Sequence, residues 1–377
     1  MFQTVLFDVD GVLLSEERCF DTTALTVWEL LYHPDFVGLK EKSVDLDPGD
    51  DGIRSIRQAV FHRDEVLTWL KSCGMNSNWD MVSILFGYQL QRLLRQLHTH
   101  RPEWVKEMLQ REMNQTALQQ IGEAVRSEGI RFQPDFGAVI HDFRDASMEK
   151  QAFLTHVNRL AEAWSGLSVT CFSHQTPMWE LGREVYQEWY LGSNLFEKEE
   201  GRPARSRKEG FLHQEIPLAS PEAIRETLDQ LLDKGIRLGI GTGRPALETE
   251  VPLDALGLYS AFDAKHVATV SDVLKAEERF PERAPLGKPA PYTYVKAYLG
   301  RQTDDRVCVE TPLPLPDKDQ ILIVGDSVAD LLAARKIGCR FAATLTGPTG
   351  EKARAKFEEL KADYILKDVT RLTEIIR

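Results

Sequence analysis

Thr4-Val5-Leu6-Phe7-Asp8-Val9-Asp10-Gly11 sets a short apolar run directly before two carboxylates spaced i, i+2 and then a glycine. Val, Leu and Phe without polar alternation suit a strand buried on both faces, as in a parallel sheet. Glycine then lets the chain leave the strand at a backbone angle other residues resist. Side chains at i and i+2 share a strand face, so where the strand ends both carboxylates can converge on one point at its C-terminal edge. Two carboxylates held that close raise each other's pKa or demand a cation. Read alone, the stretch is either a strand ending in an acidic turn or part of a site.

At 377 residues and 42% hydrophobic content, the chain is long enough for two domains with a sizeable core. It carries 58 acidic against 46 basic residues, a formal net charge of −12. That balance argues against a nucleic-acid binder working by broad phosphate neutralisation, but leaves open a small phosphorylated ligand, which needs only a few local positive groups. Cys19, Cys73, Cys171, Cys308 and Cys339 are scattered and show no CxxC spacing. They read as reduced thiols of a cytosolic protein, not as a disulfide framework or a zinc site. No apolar run approaches the roughly 18 residues of a membrane span, and no basic region followed by a long apolar stretch marks a signal peptide. The expectation is a cytoplasmic protein that engages neither membrane nor nucleic acid.

From Ser15-Glu16-Glu17 to about residue 195 the pattern is helical. Stretches over Ile53–Leu70, Met81–Leu97, Glu103–Glu128, Met148–Trp164 and Gln175–Tyr190 carry apolar residues at three- and four-residue spacing. The stripe Val82, Phe86, Leu90, Leu93, Leu97 reads as helical core. Asn76-Ser77-Asn78-Trp79-Asp80 reads as an N-cap segment. Arg54, Arg57 and Arg63 read as a solvated helix face. Asp47-Pro48-Gly49-Asp50-Asp51-Gly52 is a turn cluster; Gly49 and Gln58 stand where a calcium loop needs its second ligand and closing glutamate, so a solvated loop is preferred. Residues 197–210 (EKEEGRPARSRKEG) read as an exposed loop whose Arg202, Arg205, Arg207 and Lys208 face solvent.

Beyond about residue 216 strands alternate with helices. Ser220 and Pro221 open a helix ending near Lys234-Gly235. Apolar runs follow at Ile236–Ile240, about 264–270, Ile321–Val324, Phe341–Leu345 and Tyr364–Leu366, with 301–319 as a long connection. Such alternation predicts an α/β fold with a doubly wound parallel sheet. The N-terminal strand belongs to it, because alone it could not stabilise a sheet. The domains predicted are therefore a core of residues 1–14 and 216–377, and a large all-α domain, 15–215, inserted after the first strand.

Four stretches lie at or after the C-terminal ends of apolar runs: Asp8/Asp10, Thr242 in GIGTGRP, Lys288 in PLGKPAPYTY, and Asp326/Asp330 in ILIVGDSVAD. In open α/β sheets ligands bind at those ends. Singly each has an ordinary reading: Lys288 as a loop lysine, Thr242 as a helix N-cap, Gly325-Asp326-Ser327 as a strand-to-helix turn. Together they describe one chemistry. Asp8 and Asp326 can ligate a hard divalent cation, and Mg²⁺ prefers few protein ligands plus water and phosphate. Asp330, four residues after Asp326, faces the same way along the first helical turn. The Thr242 hydroxyl and the Gly243 N–H suit phosphate oxygens, and Lys288 supplies a point charge for phosphate and nucleophile. Asp10 is placed to exchange a proton with a leaving group.

These motifs resemble the haloacid dehalogenase superfamily of phosphohydrolases: DxDGV at Asp8–Val12, a strand ending in Thr242, KPxP at Lys288–Pro291 and GDSxxD at Gly325–Asp330. The helical insertion resembles the cap of the phosphoglycolate phosphatase-like branch, enlarged to about 200 residues. The resemblance implies a Rossmann-like core in which Asp8 is the nucleophile that forms an aspartyl-phosphate. It implies Asp10 as the acid that protonates the leaving oxygen and then as the base that activates water. Mg²⁺ would be held by Asp8, the Asp10 backbone carbonyl and Asp326, with Asp330 ordering the site. The substrate implied is a small phosphorylated metabolite. Asp10 separates phosphoryl transfer from dehalogenation, because a halide leaves without a proton. The motifs do not separate phosphatase from phosphomutase. A receiver-like binding module controlled by phosphorylation also combines these residue types, although the insertion and the second acid of DxDG argue against it. A catalytically dead scaffold disagrees with the intact motifs.

Overall fold

A computed structural model of the chain describes residues 2–39, 44–75, 77–146 and 150–376. Six strands, β1 (Thr4–Phe7), β2 (Arg237–Gly241), β3 (Val267–Ala268), β4 (Ile321–Gly325), β5 (Arg340–Thr344) and β6 (Tyr364–Leu366), form one sheet in the order β3-β2-β1-β4-β5-β6. All pairings are parallel, with Phe7 in register with Ile240 on one side and Val324 on the other. The chain runs from β1 to β2 and β3 on one side, then crosses to β4 on the other. β1 therefore lies at the topological switch point, where ligands bind in open α/β sheets.

The lack of polar alternation in these strands has a packing cause. Val5, Phe7, Leu238, Ile240, Leu322 and Val324 lie in one buried cluster, while Leu6, Ile321, Ile323, Phe341 and Ala343 lie in another. Both faces of the sheet are thus covered. On the first, the helix Pro221–Asp233 contributes Ile224, Leu228 and Leu231, one stripe at helical spacing. On the second, the helix Val328–Ile337 contributes Leu331, Ala334 and Ile337.

The chain divides into two compact units, one comprising Met1–Glu17 and Leu212–Arg377, the other Arg18–Phe211. The first holds the sheet. The second is helical, built on the 21-residue helix Asn78–His98, whose N-cap Ser77 accepts from the Asp80 N–H. The helix Pro177–Leu191 packs closely on it, with Gly182 against Val82 and Gly87 against Met178. Asn76 and Met148 lie outside the described residues. Among the described residues, no helix is long and apolar enough to cross a membrane, and all five cysteines are buried free thiols.

Several helices predicted as continuous are divided. Ile53–Leu70 becomes Asp50–Val60 and Glu65–Ser72, separated where His62, Arg63 and Asp64 take φ of 47°, 56° and 67°. Val60, Phe61, Val66, Leu67 and Leu70 remain buried across the break, so the apolar pattern continues where the helix does not. Glu103–Glu128 becomes Pro102–Leu109 and Gln115–Ser127, the second capped by Asn114. The connection 301–319 contains a helix, Asp305–Glu310, to which the Tyr292 hydroxyl and Lys296 ammonium bind through Asp305.

The reading of 197–210 as a solvated loop is overturned for Arg205 and Lys208 and for its first residues, whereas Arg207 is exposed as expected. Ser193–Glu200 is helical, and Lys208 is fully buried, its Nζ 2.9 Å from Glu188 Oε2 and 3.2 Å from Glu29 Oε1. Arg205 pairs with Glu188 and Glu184, and Trp189 Nε1 donates to Glu29 at 2.6 Å. The cations answer acids of distant helices, which local composition does not reveal. Arg57, read as solvated, pairs with Asp21 and Asp64.

Candidate active site at the carboxyl edge of the sheet

The Asp8 N–H completes the β1 ladder by donating to the Val324 carbonyl, and the Asp8 carboxylate accepts from Val9 N–H at 2.8 Å. Gly11 follows at φ +69°, and a Cβ there would stand 2.2 Å from Asp326 Cγ. Only glycine meets both demands. Its carbonyl accepts from the hydroxyls of Thr344 and Thr346, tying the turn after β1 to the end of β5.

One oxygen from each of Asp8, Asp326 and Asp330 lies within 4.8 Å of the others. Lys288 enters this group, its Nζ 2.9 Å from Asp8 Oδ1 and 2.8 Å from Asp330 Oδ1. Asp330 is the third residue of its helix and completes a capping box with Ser327. Asp330 Oδ1, the oxygen that Lys288 reaches, also accepts from the buried Tyr294 hydroxyl at 2.7 Å, and Lys288 Nζ sits 4.8 Å from the Tyr294 ring centroid. An ion pair, the Tyr294 hydrogen bond and a cation–π contact therefore hold Lys288, Asp330 and Tyr294 together.

Burial pushes the Asp8 carboxyl up to about 7; Lys288 opposes the shift, and Asp330 and Asp10 add to it. Burial also raises the Asp326 carboxyl well above the usual range, helped by the charges of Asp330 and Asp8. At Lys288 burial disfavours the charge, but Asp330 and Asp8 outweigh it and hold the ammonium above its ordinary value. Three carboxylates against one ammonium leave an excess of negative charge, and Asp326 makes no ion pair among the described residues.

Thr242 and Gly243 follow β2 directly. The Thr242 hydroxyl accepts from the Arg244 N–H at 3.2 Å, and the next helix starts only at Ala246 with Pro245 at its N-cap, so Thr242 caps no helix. The Asp10 side chain does not join the carboxylate group. It is held by Arg244, whose Nε and Nη2 reach Asp10 Oδ1 at 2.8 and 2.6 Å. Arg244 and Glu215, which supports it, were not singled out in the sequence, nor was Tyr294. Arg244 stands two residues after Thr242 and Tyr294 six after Lys288, so adjacency to a motif is a signal for both. Glu215 has no local signal.

Residues 285–372, which span the lysine motif, β4 and the acidic turn after it, match a family model described as HAD-hydrolase-like. The chain belongs to the HAD-like hydrolases. This HAD-like hydrolase is 38% identical to Northeast Structural Genomics Consortium target ZR25, known by X-ray structure. The likeness covers 100% of this chain and 98% of that one, with a TM-score of 0.87. More distant is a predicted phosphoglycolate phosphatase from Haemophilus somnus 129PT, 15% identical over 100% of this chain and 98% of that one, with a TM-score of 0.40. A HAD family hydrolase from Deinococcus radiodurans R1 is 15% identical over 98% of this chain and 93% of that one, with a TM-score of 0.38. No curated protein matches the chain.

Proposed function

We propose that this HAD-like hydrolase is a Mg²⁺-dependent phosphatase that cleaves a small-molecule phosphate monoester through an aspartyl-phosphate at Asp8. The observation that carries the reading is the meeting of Asp8, Asp326 and Asp330 within 4.8 Å, with Lys288 between two of them, at the carboxyl edge of the switch-point strand. The donor set fits the metal: hard carboxylate oxygens, no sulfur or imidazole in the group, and an Asp326 carboxylate with no ion pair among the described residues. Asp8, the Asp10 backbone carbonyl and Asp326 would hold the ion, with Asp330 ordering the site. When bound, it supplies the positive charge that lets a carboxylate approach a phosphate dianion.

In this reading Asp8 attacks phosphorus in line, while Lys288, the Thr242 hydroxyl and the Gly243 N–H bind the phosphoryl oxygens. Asp10 protonates the leaving oxygen, then takes a proton from the water that hydrolyses the aspartyl-phosphate. The substrate proposed is a phosphorylated metabolite of the cytoplasm, with no role for nucleic acid or membrane. The test is release of p-nitrophenol from its phosphate by the full chain, followed by a panel of phosphorylated metabolites. Turnover is expected with Mg²⁺ and not with excess EDTA; turnover indifferent to EDTA would refute the metal-dependent reading.

Gly347 offers a separate check on Asp326. A Cβ at 347 would stand 2.0 Å from Asp326 Oδ2, so alanine there forces the carboxylate to turn. Gly347→Ala is expected to weaken Mg²⁺ binding about 10-fold or more, as read by calorimetric titration of the ion alone. An unchanged isotherm would remove Asp326 from the ligand set.

A further inference from the structure

Arg244 is 4% exposed, and its guanidinium donates to two carboxylates and a backbone carbonyl. Nε and Nη2 converge on one oxygen of Asp10, Oδ1, at 2.8 and 2.6 Å. Nη1 turns the other way, to Glu215 Oε1 at 2.9 Å and the Glu248 carbonyl at 3.3 Å. Glu215, 1% exposed at its side chain, thus anchors the far end of the fork. Oδ2 of Asp10 makes no hydrogen bond among the described residues, and the Asp10 side chain is 29% exposed. A planar guanidinium with fixed donors restrains both position and rotation of a carboxylate in a way that an ammonium cannot.

We propose that Arg244, braced by Glu215, is the positioning residue for Asp10: it occupies Oδ1 and so leaves Oδ2 as the oxygen that exchanges protons. The inference rests on the phosphatase reading above. In the first half-reaction the bond from an Asp8 oxygen to phosphorus forms, the ester P–O bond breaks, and a proton passes from Oδ2 to the leaving oxygen. In the second, the oxygen of water bonds to phosphorus, the Asp8 oxygen–phosphorus bond breaks, and a proton of that water passes to Oδ2. Both halves need the same oxygen in the same place. A carboxylate free to rotate would present either oxygen, or neither. The arrangement also orders the neighbouring loop, because the Arg244 N–H donates to the Thr242 hydroxyl oxygen.

The test compares two esters on the full chain with Mg²⁺. Phenyl phosphate needs a proton on its leaving oxygen, and 2,4-dinitrophenyl phosphate does not. Arg244→Met is expected to lower kcat/KM about 10²-fold for phenyl phosphate and less than about threefold for the dinitrophenyl ester. kcat for the dinitrophenyl ester should fall, with a burst of dinitrophenolate equal to the enzyme present, because the phosphorylated Asp8 then waits for its water. Arg244→Lys, which keeps the charge but not the fork, should show the same pattern more weakly and guards against a variant that does not fold. Equal losses on both esters, or no loss on either, would overturn the assignment. Failure of the unaltered chain to turn over either ester would instead strike the phosphatase reading itself.

Discussion

Asp8→Asn is expected to abolish Mg²⁺-dependent ester hydrolysis, lowering turnover by at least about 10⁴-fold, while the chain stays folded. The amide keeps the shape of the carboxylate and can still accept the Val9 N–H now bound at 2.8 Å. It offers no anionic oxygen to phosphorus, so the covalent route closes. Phosphate monoesters resist water so strongly that little background activity remains; enzymes accelerate such reactions by up to about 10²¹. The fold should tolerate the change for an electrostatic reason. Burial, together with Asp330 and Asp10, lifts the Asp8 carboxyl to about 7 against the pull of Lys288, so its ionised form is under strain in the folded chain. Removing that charge relieves the strain, and the melting temperature should hold or rise. Near-wild-type turnover in Asp8→Asn would end the aspartyl-phosphate mechanism.

The second large effect is on stability, in the helical unit. Lys208→Met should cost about 3–5 kcal/mol, because it removes one partner of a buried ionic group and leaves the others in place. Lys208 Nζ lies against Glu188, Glu29 and the Ser206 hydroxyl, with the Trp189 ring 5.2 Å away. Methionine fills much of the space but returns no charge. Glu188 keeps Arg205, whereas Glu29 keeps the neutral Trp189 Nε1 and no other ion pair among the described residues. The penalty should depend on pH. Burial already lifts the Glu29 carboxyl above its ordinary value, with Lys208 opposing. Without the ammonium the carboxyl rises further and binds its proton more tightly folded than unfolded. Stability of the variant therefore falls as pH rises above the ordinary carboxylate range, and the deficit shrinks on acidification. Urea unfolding followed by tryptophan fluorescence at two pH values measures it; a loss under about 1 kcal/mol would show that the network is solvated.

These two sites differ in how far they could be read beforehand. Asp8, Thr242, Lys288, Asp326 and Asp330 each follow a strand end or a loop marked by glycine or proline, and chemistry of that kind requires particular residue types at particular spacings. Lys208 sits in a run rich in both charges, and nothing local separates a buried lysine from a solvated one. Its partners are 20 and 179 positions away. The divided helices show the same limit. Val60 and Val66 stay buried on either side of the turn at His62–Asp64, so hydrophobic period alone cannot locate the break.

The amino-acid sequence by itself determined that β1 is buried on both faces, that a parallel α/β sheet forms with a helical insertion after its first strand, and that acids, a hydroxyl and a lysine stand at the strand ends. Those features are written in short-range patterns: apolar runs without alternation, caps, and glycines at exits. Only the tertiary structure decided what each charge faces. It set Lys288 between Asp8 and Asp330, buried Lys208 between two glutamates, and turned Asp10 away from the other carboxylates onto Arg244. The physical reason is that an ion pair depends on distance through space, and in a folded chain residues remote in sequence supply the opposite charge. Asp10 and Arg244 are 234 positions apart and 2.6 Å from nitrogen to oxygen.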